Sequence, residues 1–126
     1  MKLRSVSGFT AYVHDIDKTA KFYEDLGFRV DKHTPERLKL LLNWYSLEFI
    51  AQNKETISEF QKEAQLEPRG SGIFINVSVD DVDAFHSHLI SLGYKPSSEP
   101  RDWPWGNREF VIRDPDGYKL VLFKKL

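Results

Sequence analysis

The sequence predicts an α+β fold built from two tandem βαβββ modules. Two observations carry this prediction: a repeat at an offset of 66 residues and, in each copy, an alternating apolar run that precedes a helical apolar stripe. The repeat aligns residues 13–29 with residues 79–95 without a gap. Its identical positions are Val13/Val79, Asp15/Asp81, Asp17/Asp83, Leu26/Leu92 and Gly27/Gly93. Because two copies are too few for a solenoid, we expect a pseudo-twofold arrangement.

Each module begins with a strand and continues with a helix. Residues 8–13 and 73–79 alternate in the manner of strands. Asp15 and Asp81 have side chains suited to cap the two helices, and Gly27 and Gly93 stand where the helices should end. The apolar stripes at helical spacing are Ile16, Ala20, Tyr23 and Leu26 in the first helix and Val82, Phe85, Leu89 and Leu92 in the second.

Three further strands complete each module. They are predicted at 28–33, 38–42 and 46–51, and again at 94–96, 108–113 and 118–124. The Asp-Pro-Asp-Gly turn at 114–117 predicts a hairpin between the last two strands. Residues 53–66 are predicted as one helix with Ile57, Phe60 and Ala64 on one face, and residues 67–72 as a plain linker. We therefore expect a single domain over 1–126, with module one at about 1–52, the connecting helix and linker at 53–72, and module two at about 73–126.

Composition excludes several classes of function. The 126 residues fit one ordinary domain, and 18 basic against 19 acidic residues leave a net charge of −1, which argues against nucleic-acid or anionic-membrane partners. The absence of cysteine excludes thiol catalysis, disulfides and cysteine zinc sites. Residues 1–10 lack the apolar core of a signal peptide and no run is long enough to span a bilayer, so a cytoplasmic protein is expected. The unusual feature is the aromatic content, nine Phe, five Tyr and three Trp, with Trp103 and Trp105 two positions apart.

Three short motifs occur in a fixed order along the chain. They are Val-His-Asp at 13–15 leading to Phe-Tyr-Glu-Asp-Leu-Gly-Phe at 22–28, then Val-Asp-Asp-Val-Asp at 79–83, then Arg-Asp-Pro-Asp-Gly at 113–117. Together they resemble the vicinal oxygen chelate superfamily, which includes glyoxalase I, extradiol dioxygenases, fosfomycin-resistance enzymes and bleomycin-resistance proteins. Pro-Trp-Gly-Asn-Arg-Glu-Phe at 104–110 is most similar to the bleomycin-resistance branch. The resemblance implies a cupped, partly open mixed sheet with helices on the outside.

The resemblance also implies four metal-ligand positions on strands that face a cavity, and these are Gly8, Glu48, Phe74 and Val121 in this sequence. Only Glu48 can ligate a metal, and zinc or a catalytic transition metal needs three or four protein ligands. We therefore predict no metal, no cofactor and no catalytic residue of the family's metal-dependent kind. Glu48 is interpreted either as the receptor of a ligand cation or as part of an ion pair. Its candidate partners are Arg37, Lys39, Arg108 and Lys119.

The histidines do not supply a replacement metal site. His86 and His88 lie two residues apart on a predicted helix and so point to different faces. His88 takes the place of Phe22 in the repeat and is interpreted as a core or interface residue. His14 stands at a turn and His33 near a strand end, where we expect both to be solvated.

The main hypothesis is a metal-free protein of the bleomycin-resistance type, which sequesters a planar or amphipathic small molecule in clefts at a homodimer interface. Since the family's bleomycin binders are strongly acidic and this chain carries −1, bleomycin itself is not the expected ligand. The predicted ligand-binding residues are Trp44, Glu48, Phe74, Asn76, Trp103, Trp105, Phe110 and Val121. Core or interface roles remain open for Trp103, Trp105 and Phe110.

Two other functions remain open from the sequence. One is a glyoxalase-like lyase or isomerase, or a dioxygenase, with a rebuilt metal site formed by Glu48, Glu109 and a histidine. Metal analysis of the purified protein would reveal it. The other is a protein-binding module that uses residues 103–105 as an aromatic contact point.

Overall fold

The computed structural model describes all 126 residues and confirms the α+β class with two βαβββ modules. The chain divides into two compact units, Met1–Glu67 and Pro68–Leu126. The first contains β1 (Gly8–Val13), α1 (Ile16–Leu26), β2 (Arg29–His33), β3 (Arg37–Leu42), β4 (Tyr45–Ala51), a short 3₁₀ helix (Gln52–Lys54) and α2 (Ser58–Ala64). The second contains β5 (Phe74–Ser78), α3 (Val82–Ser91), β6 (Arg101–Asp102), β7 (Asn107–Arg113) and β8 (Lys119–Lys125). None of the helices is long and apolar enough to cross a membrane.

Each unit holds one mixed four-stranded sheet. The strand orders are β1-β4-β3-β2 and β5-β8-β7-β6. In both sheets the first strand lies at an edge and pairs in parallel with the last strand, while the other neighbours are antiparallel. Side chains alternate between the two faces, and one face of each sheet is buried against the helix of its unit. The fully buried side chains on that face include Val13, Leu38, Leu40 and Phe49 in the first unit, and Phe110, Ile112, Leu120 and Leu122 in the second.

The ends of the two main helices follow the predicted capping chemistry. The Asp15 carboxylate accepts a hydrogen bond from the Lys18 amide (3.1 Å), and the Asp81 carboxylate accepts one from the Ala84 amide (2.9 Å). Gly27 and Gly93 adopt left-handed conformations, with φ of 107° and 91°, in which a side chain would be strained. Local chemistry therefore fixes where both helices begin and end.

The apolar stripe is confirmed completely in α1 and only partly in α3. Ile16, Ala20, Tyr23 and Leu26 are all buried. In α3, Val82 and Leu89 are buried and Phe85 is half-buried. The prediction is wrong for Leu92, which is 45% exposed, because α3 ends at Ser91 and Leu92 already lies beyond the last helical turn.

The helix predicted over 53–66 is wrong as a single element. The segment forms the 3₁₀ helix and α2, separated by an extended stretch around Glu55. Three hydrogen bonds hold that stretch: the Glu55 carboxylate accepts from the Tyr12 hydroxyl and from the Ile57 amide, and Gln61 donates to the Glu55 carbonyl. Ala64 is buried, whereas Ile57 and Phe60 are 47% and 44% exposed.

The strand predicted at 94–96 is absent, and the short β6 takes the fourth place in the second sheet. Proline at 96 has no amide hydrogen to donate to a strand ladder. The contact with β7 instead comes just after it, since the Ser97 amide donates to the Val111 carbonyl and the Ser98 hydroxyl accepts from the Val111 amide.

The segment expected to be a plain linker is packed in the second unit from Pro68 onward. The Arg69 side chain is only 3% exposed, and its Nε lies 3.6 Å from Oδ1 of Asp116 in the 114–117 turn. Gly70 has φ of 78°, and a Cβ at this position would lie 2.6 Å from the Gly117 carbonyl oxygen. The connection is therefore a strap bound to the hairpin turn, which the composition of residues 67–72 did not reveal.

Candidate functional site

A cavity of about 460 Å³ lies on the face of the second sheet that is turned away from α3. Alternate residues of three adjacent strands form its floor. In register, Val121 of β8 lies between Asn76 of β5 and Val111 of β7, and Lys119 lies beside Phe74. The middle of the floor is therefore apolar, with an amide on one side of it.

Two stacked indoles form the rim of this cavity. The ring centroids of Trp103 and Trp105 are 4.6 Å apart with 12° between the planes, and the guanidinium carbon of Arg101 lies 3.6 Å from the Trp103 centroid. Trp103 is thus covered by Arg101 and by Trp105. Trp105 is 60% exposed, so its indole is the one available to a bound molecule.

A tight turn and an ion-pair network hold these indoles in place. The Trp103 amide donates to the Asn107 carbonyl and the Gly106 amide donates to the Trp103 carbonyl, at 2.8 and 3.0 Å. On the opposite side of β7, Arg108 donates to both carboxylate oxygens of Asp83 at 2.9 Å and to Asp102 at 3.0 Å. The hydrogen bond from Arg108 lowers the pKa of Asp83. This network joins the strand that precedes the indoles to the first turn of α3.

The four positions at which the family resemblance implies metal ligands lie at equivalent places in the two sheets. Gly8 lies opposite Ser46 and Thr10 opposite Glu48 in the first unit. In the second unit, Phe74 lies opposite Lys119 and Asn76 opposite Val121. Gly8 and Glu48 are therefore related to each other as Phe74 and Val121 are, on neighbouring parallel strands and two residues apart.

The residues at these positions do not fit a metal. A Cβ at position 8 would lie 2.1 Å from the Ser46 carbonyl oxygen, so no ligating side chain can be placed there without moving β4. Phe74 and Val121 have no donor atoms, and the Phe74 ring lies beneath Nζ of Lys119, 3.7 Å from the centroid. No group of three or more His, Asp or Glu side chains lies close enough together to hold a metal ion.

Five of the eight predicted ligand-binding residues line this one cavity, namely Phe74, Asn76, Trp103, Trp105 and Val121. Trp44 and Glu48 belong to the first unit. Trp44 is 84% exposed at the turn between β3 and β4, and Glu48 lies in register between Thr10 and Lys39. Phe110 is a core residue with no exposed surface, on the opposite side of β7, with its ring 5.0 Å from that of His86.

Five residues outside the predicted ligand-binding set also line the cavity: Ser98, Asn107, Glu109, Val111 and Lys119. Glu109 and Lys119 had been considered in other roles, as part of a rebuilt metal site and as a partner of Glu48. Strand alternation contains the signal for the three in β7. Once Phe110 and Ile112 are placed in the core, residues 107, 109 and 111 must face the other way. Ser98 lies in the irregular segment between α3 and β6 and has no comparable signal.

The histidines lie outside this cavity. His88 is exposed, so a core position for it is wrong, while its place at an interface stays a prediction. It is His86 that packs on a core aromatic ring. His14 and His33 are solvated, as predicted, and each also contacts a carboxylate. Nε2 of His14 lies 2.5 Å from Glu67, and Nε2 of His33 lies 2.8 Å from Asp17.

The fold and the site together define the class of protein. The model of the Glyoxalase/Bleomycin resistance protein/Dioxygenase superfamily matches residues 5–122, and the chain belongs to this family. Among curated proteins it is similar to a bleomycin resistance protein of Klebsiella pneumoniae, with 28% identity over 117 residues that cover 87% of this chain and 84% of the relative.

Solved structures agree with this assignment. A bleomycin-binding protein complexed with bleomycin is 25% identical with a TM-score of 0.69, over 98% of this chain and 100% of that one. A family member from Nocardioides has a TM-score of 0.80 over 100% of this chain and 86% of that one. At 20% identity, the second likeness concerns the fold alone.

Proposed function

We propose that this protein binds and sequesters a flat or amphipathic small molecule without the help of a metal. The binding site is the cavity bordered by Phe74, Asn76, Trp103, Trp105 and Val121, which we call the aromatic cleft. The observation that carries the proposal is the exposed indole of Trp105, stacked on Trp103 at the rim of a cavity with an apolar floor. The similarity to bleomycin resistance proteins supports it.

The arrangement suits stacking on an aromatic ligand. Flat rings gain from offset stacking on indole, and Arg101 and Trp103 already hold the Trp105 ring in position before a ligand arrives. Because this order exists in the free protein, less side-chain freedom is lost on binding. Apolar parts of the ligand would lie over Val111 and Val121, while Asn76 and Asn107 offer hydrogen bonds beside them.

We further propose that the protein acts as a homodimer and that Trp44 and Glu48 take part in ligand binding. The first strand of each unit ends its sheet, which leaves one edge of β1 and one edge of β5 free of strand partners within these sheets. Such edges favour pairing with another copy of the chain.

A titration followed by tryptophan fluorescence tests the binding proposal. The probes are bleomycin and a panel of flat aromatic compounds, and we expect saturable quenching by members of the panel. Trp105→Ala should weaken that binding about tenfold, because stacking on an aromatic side chain contributes roughly 1–3 kcal/mol. Phe60→Ala, which removes an exposed aromatic ring from α2, serves as the control and should leave the affinity unchanged.

The same titration examines Trp44, since Trp44→Ala should also weaken binding if this residue contacts the ligand. The proposal is contradicted if no compound of the panel quenches the fluorescence. It is contradicted equally if Trp105→Ala binds the quenching compounds as tightly as the unmodified protein does.

A further inference from the structure

We propose that the molecule bound in the aromatic cleft carries an anionic group, and that Lys119 receives it. This inference rests on the proposed function and names the class of ligand: a flat aromatic anion. It differs from what the family resemblance implies, since the bleomycin binders of the family are acidic proteins that take a cationic drug.

The position of Lys119 is the first argument. Its ammonium lies 3.7 Å from the centroid of Phe74, on the floor of the cleft. The ring covers one side of the ammonium, and a lysine ammonium has three hydrogens to donate. An anionic group above the floor would therefore meet a charged donor that is already held in place.

The cross-strand neighbours of Lys119 supply the second argument. In register, Lys119 lies between Phe74 on β5 and Arg113 on β7, so this row of the sheet holds two cations and no acid. The Arg113 guanidinium donates to the Gly117 carbonyl at 2.8 Å, which leaves its charge uncompensated in the row. Like charges directly opposite each other destabilise a sheet, and a bound anion would relieve that repulsion.

Glu109 is the one acidic residue in the cleft, and it lies away from Lys119. Glu109 lies opposite Arg101 on one side and opposite Phe123 on the other. Phe123 is four residues from Lys119 along β8, a separation of roughly 13 Å in an extended strand. Glu109 therefore has a cation as its cross-strand neighbour and lies at the far end of the cleft from Lys119, so the cleft favours an anion over a cation.

Two fluorescent probes of nearly the same shape test this inference. Anilinonaphthalene sulfonate carries a negative charge, and phenylnaphthylamine is its uncharged counterpart. Lys119→Gln should weaken binding of the sulfonate about five- to tenfold, because a charge-assisted hydrogen bond is lost. Binding of the uncharged probe should change less than twofold.

Lys124→Gln is the matched control. It removes the same charge from the same strand, but Lys124 points to the opposite face and borders a different cavity. Both probes should bind this variant within twofold of the unmodified protein, and near-ultraviolet circular dichroism should be the same for all three proteins.

The inference is overturned if the Lys119→Gln and Lys124→Gln proteins bind the sulfonate equally well. It is also overturned if Lys119→Gln weakens the binding of both probes to the same extent. Trp105→Ala separates this result from a failure of the proposed function. It should weaken both probes, since it removes the stacking surface and not the charge. If neither probe binds the unmodified protein, the proposed function itself is contradicted, and the anionic ligand with it.

Discussion

At the level of single residues, Tyr12 and Glu55 form the contact that best reports on the folded first unit. The Tyr12 hydroxyl donates a hydrogen bond to the Glu55 carboxylate. This bond, together with partial burial and the negative charge of Glu55, raises the pKa of Tyr12 to about 12. The same hydrogen bond lowers the pKa of Glu55. Both shifts favour the neutral phenol beside the ionised carboxylate.

The raised pKa of Tyr12 predicts a loss of stability at alkaline pH. The hydrogen-bonded Tyr12 phenol contributes fully to the free energy of unfolding below pH 10, the pKa of a tyrosine in the unfolded chain. That contribution is lost as the pH rises toward about 12. Tyr12→Phe should remove an ionisation near pH 12 from an ultraviolet absorbance titration. It should also make the free energy of unfolding less sensitive to pH above 10.

Tyr45→Phe, in the exposed first position of β4, is the control for that titration and should leave the ionisation near pH 12 in place. A Tyr12→Phe protein that keeps the ionisation near pH 12 would show that the hydrogen bond to Glu55 does not hold the phenol proton.

The most predictable roles were those of residues that shape the main chain within a few positions of themselves. Asp15 and Asp81 cap helices with side chains that reach only three residues along the chain, and Gly27 and Gly93 are needed where φ is positive. Glu55 was not predictable in this way, because its partner Tyr12 is 43 residues away. Spacing in the sequence carries no information about such a contact.

At the level of elements, the strap that begins at Pro68 is the feature most dependent on distant contacts. Arg69 and Asp116 have side chains that are 3% and 2% exposed. The neighbouring Tyr118 is half-buried in the same region, and burial raises its pKa. A charged pair removed from water in this way stabilises the fold only while both partners are present.

Arg69→Ala should therefore lower the free energy of unfolding by about 3 kcal/mol, because it leaves the Asp116 carboxylate buried without its cation. Urea denaturation followed by circular dichroism measures the change. Arg29→Ala removes an exposed arginine from β2 and should alter the free energy by less than about 0.5 kcal/mol. Equal stability of the two variants would contradict the structural role of the strap.

The sequence predicted elements well where the pattern is long and periodic, and poorly where a contact from elsewhere decides the conformation. The strands of the first unit and the 114–117 hairpin follow from alternation and turn chemistry. The break at Glu55 and the replacement of a strand at 94–96 by β6 depend on hydrogen bonds to β1 and β7. The periodicity of the sequence indicates neither the break in the helix nor the shift of the strand.

At the level of the whole molecule, the internal repeat was the strongest signal. It predicted the order of elements in both units, and the two sheets have the same strand order and the same parallel pair. The aromatic cleft breaks this likeness. Trp103 and Trp105 follow a strand of two residues, β6, whereas its counterpart β2 has five and no indoles follow it. A binding site can be specialised where the two units differ. Such differences do not show when the two halves of the sequence are compared for similarity.

A homodimer should be the form of the protein in solution at micromolar concentration. Sedimentation equilibrium should give twice the chain mass of 14.7 kDa. The physical reason is that exposed apolar surface lies at the start of the edge strand β5 and just before it, with Phe74 and Ile73 at 57% and 48% exposure, which a second copy would cover. A mass of one chain at tens of micromolar would contradict this prediction.

The close approach of Gly8 to Ser46 limits which metal ligands can be introduced into this fold by substitution. Substitution alone can place a histidine at positions 74 and 121, and Glu48 already supplies a carboxylate. Position 8 is different, since even a methyl group there would overlap the carbonyl of the neighbouring strand. A ligating side chain at position 8 therefore requires a wider spacing between the main chains of β1 and β4, which no exchange of side chains supplies.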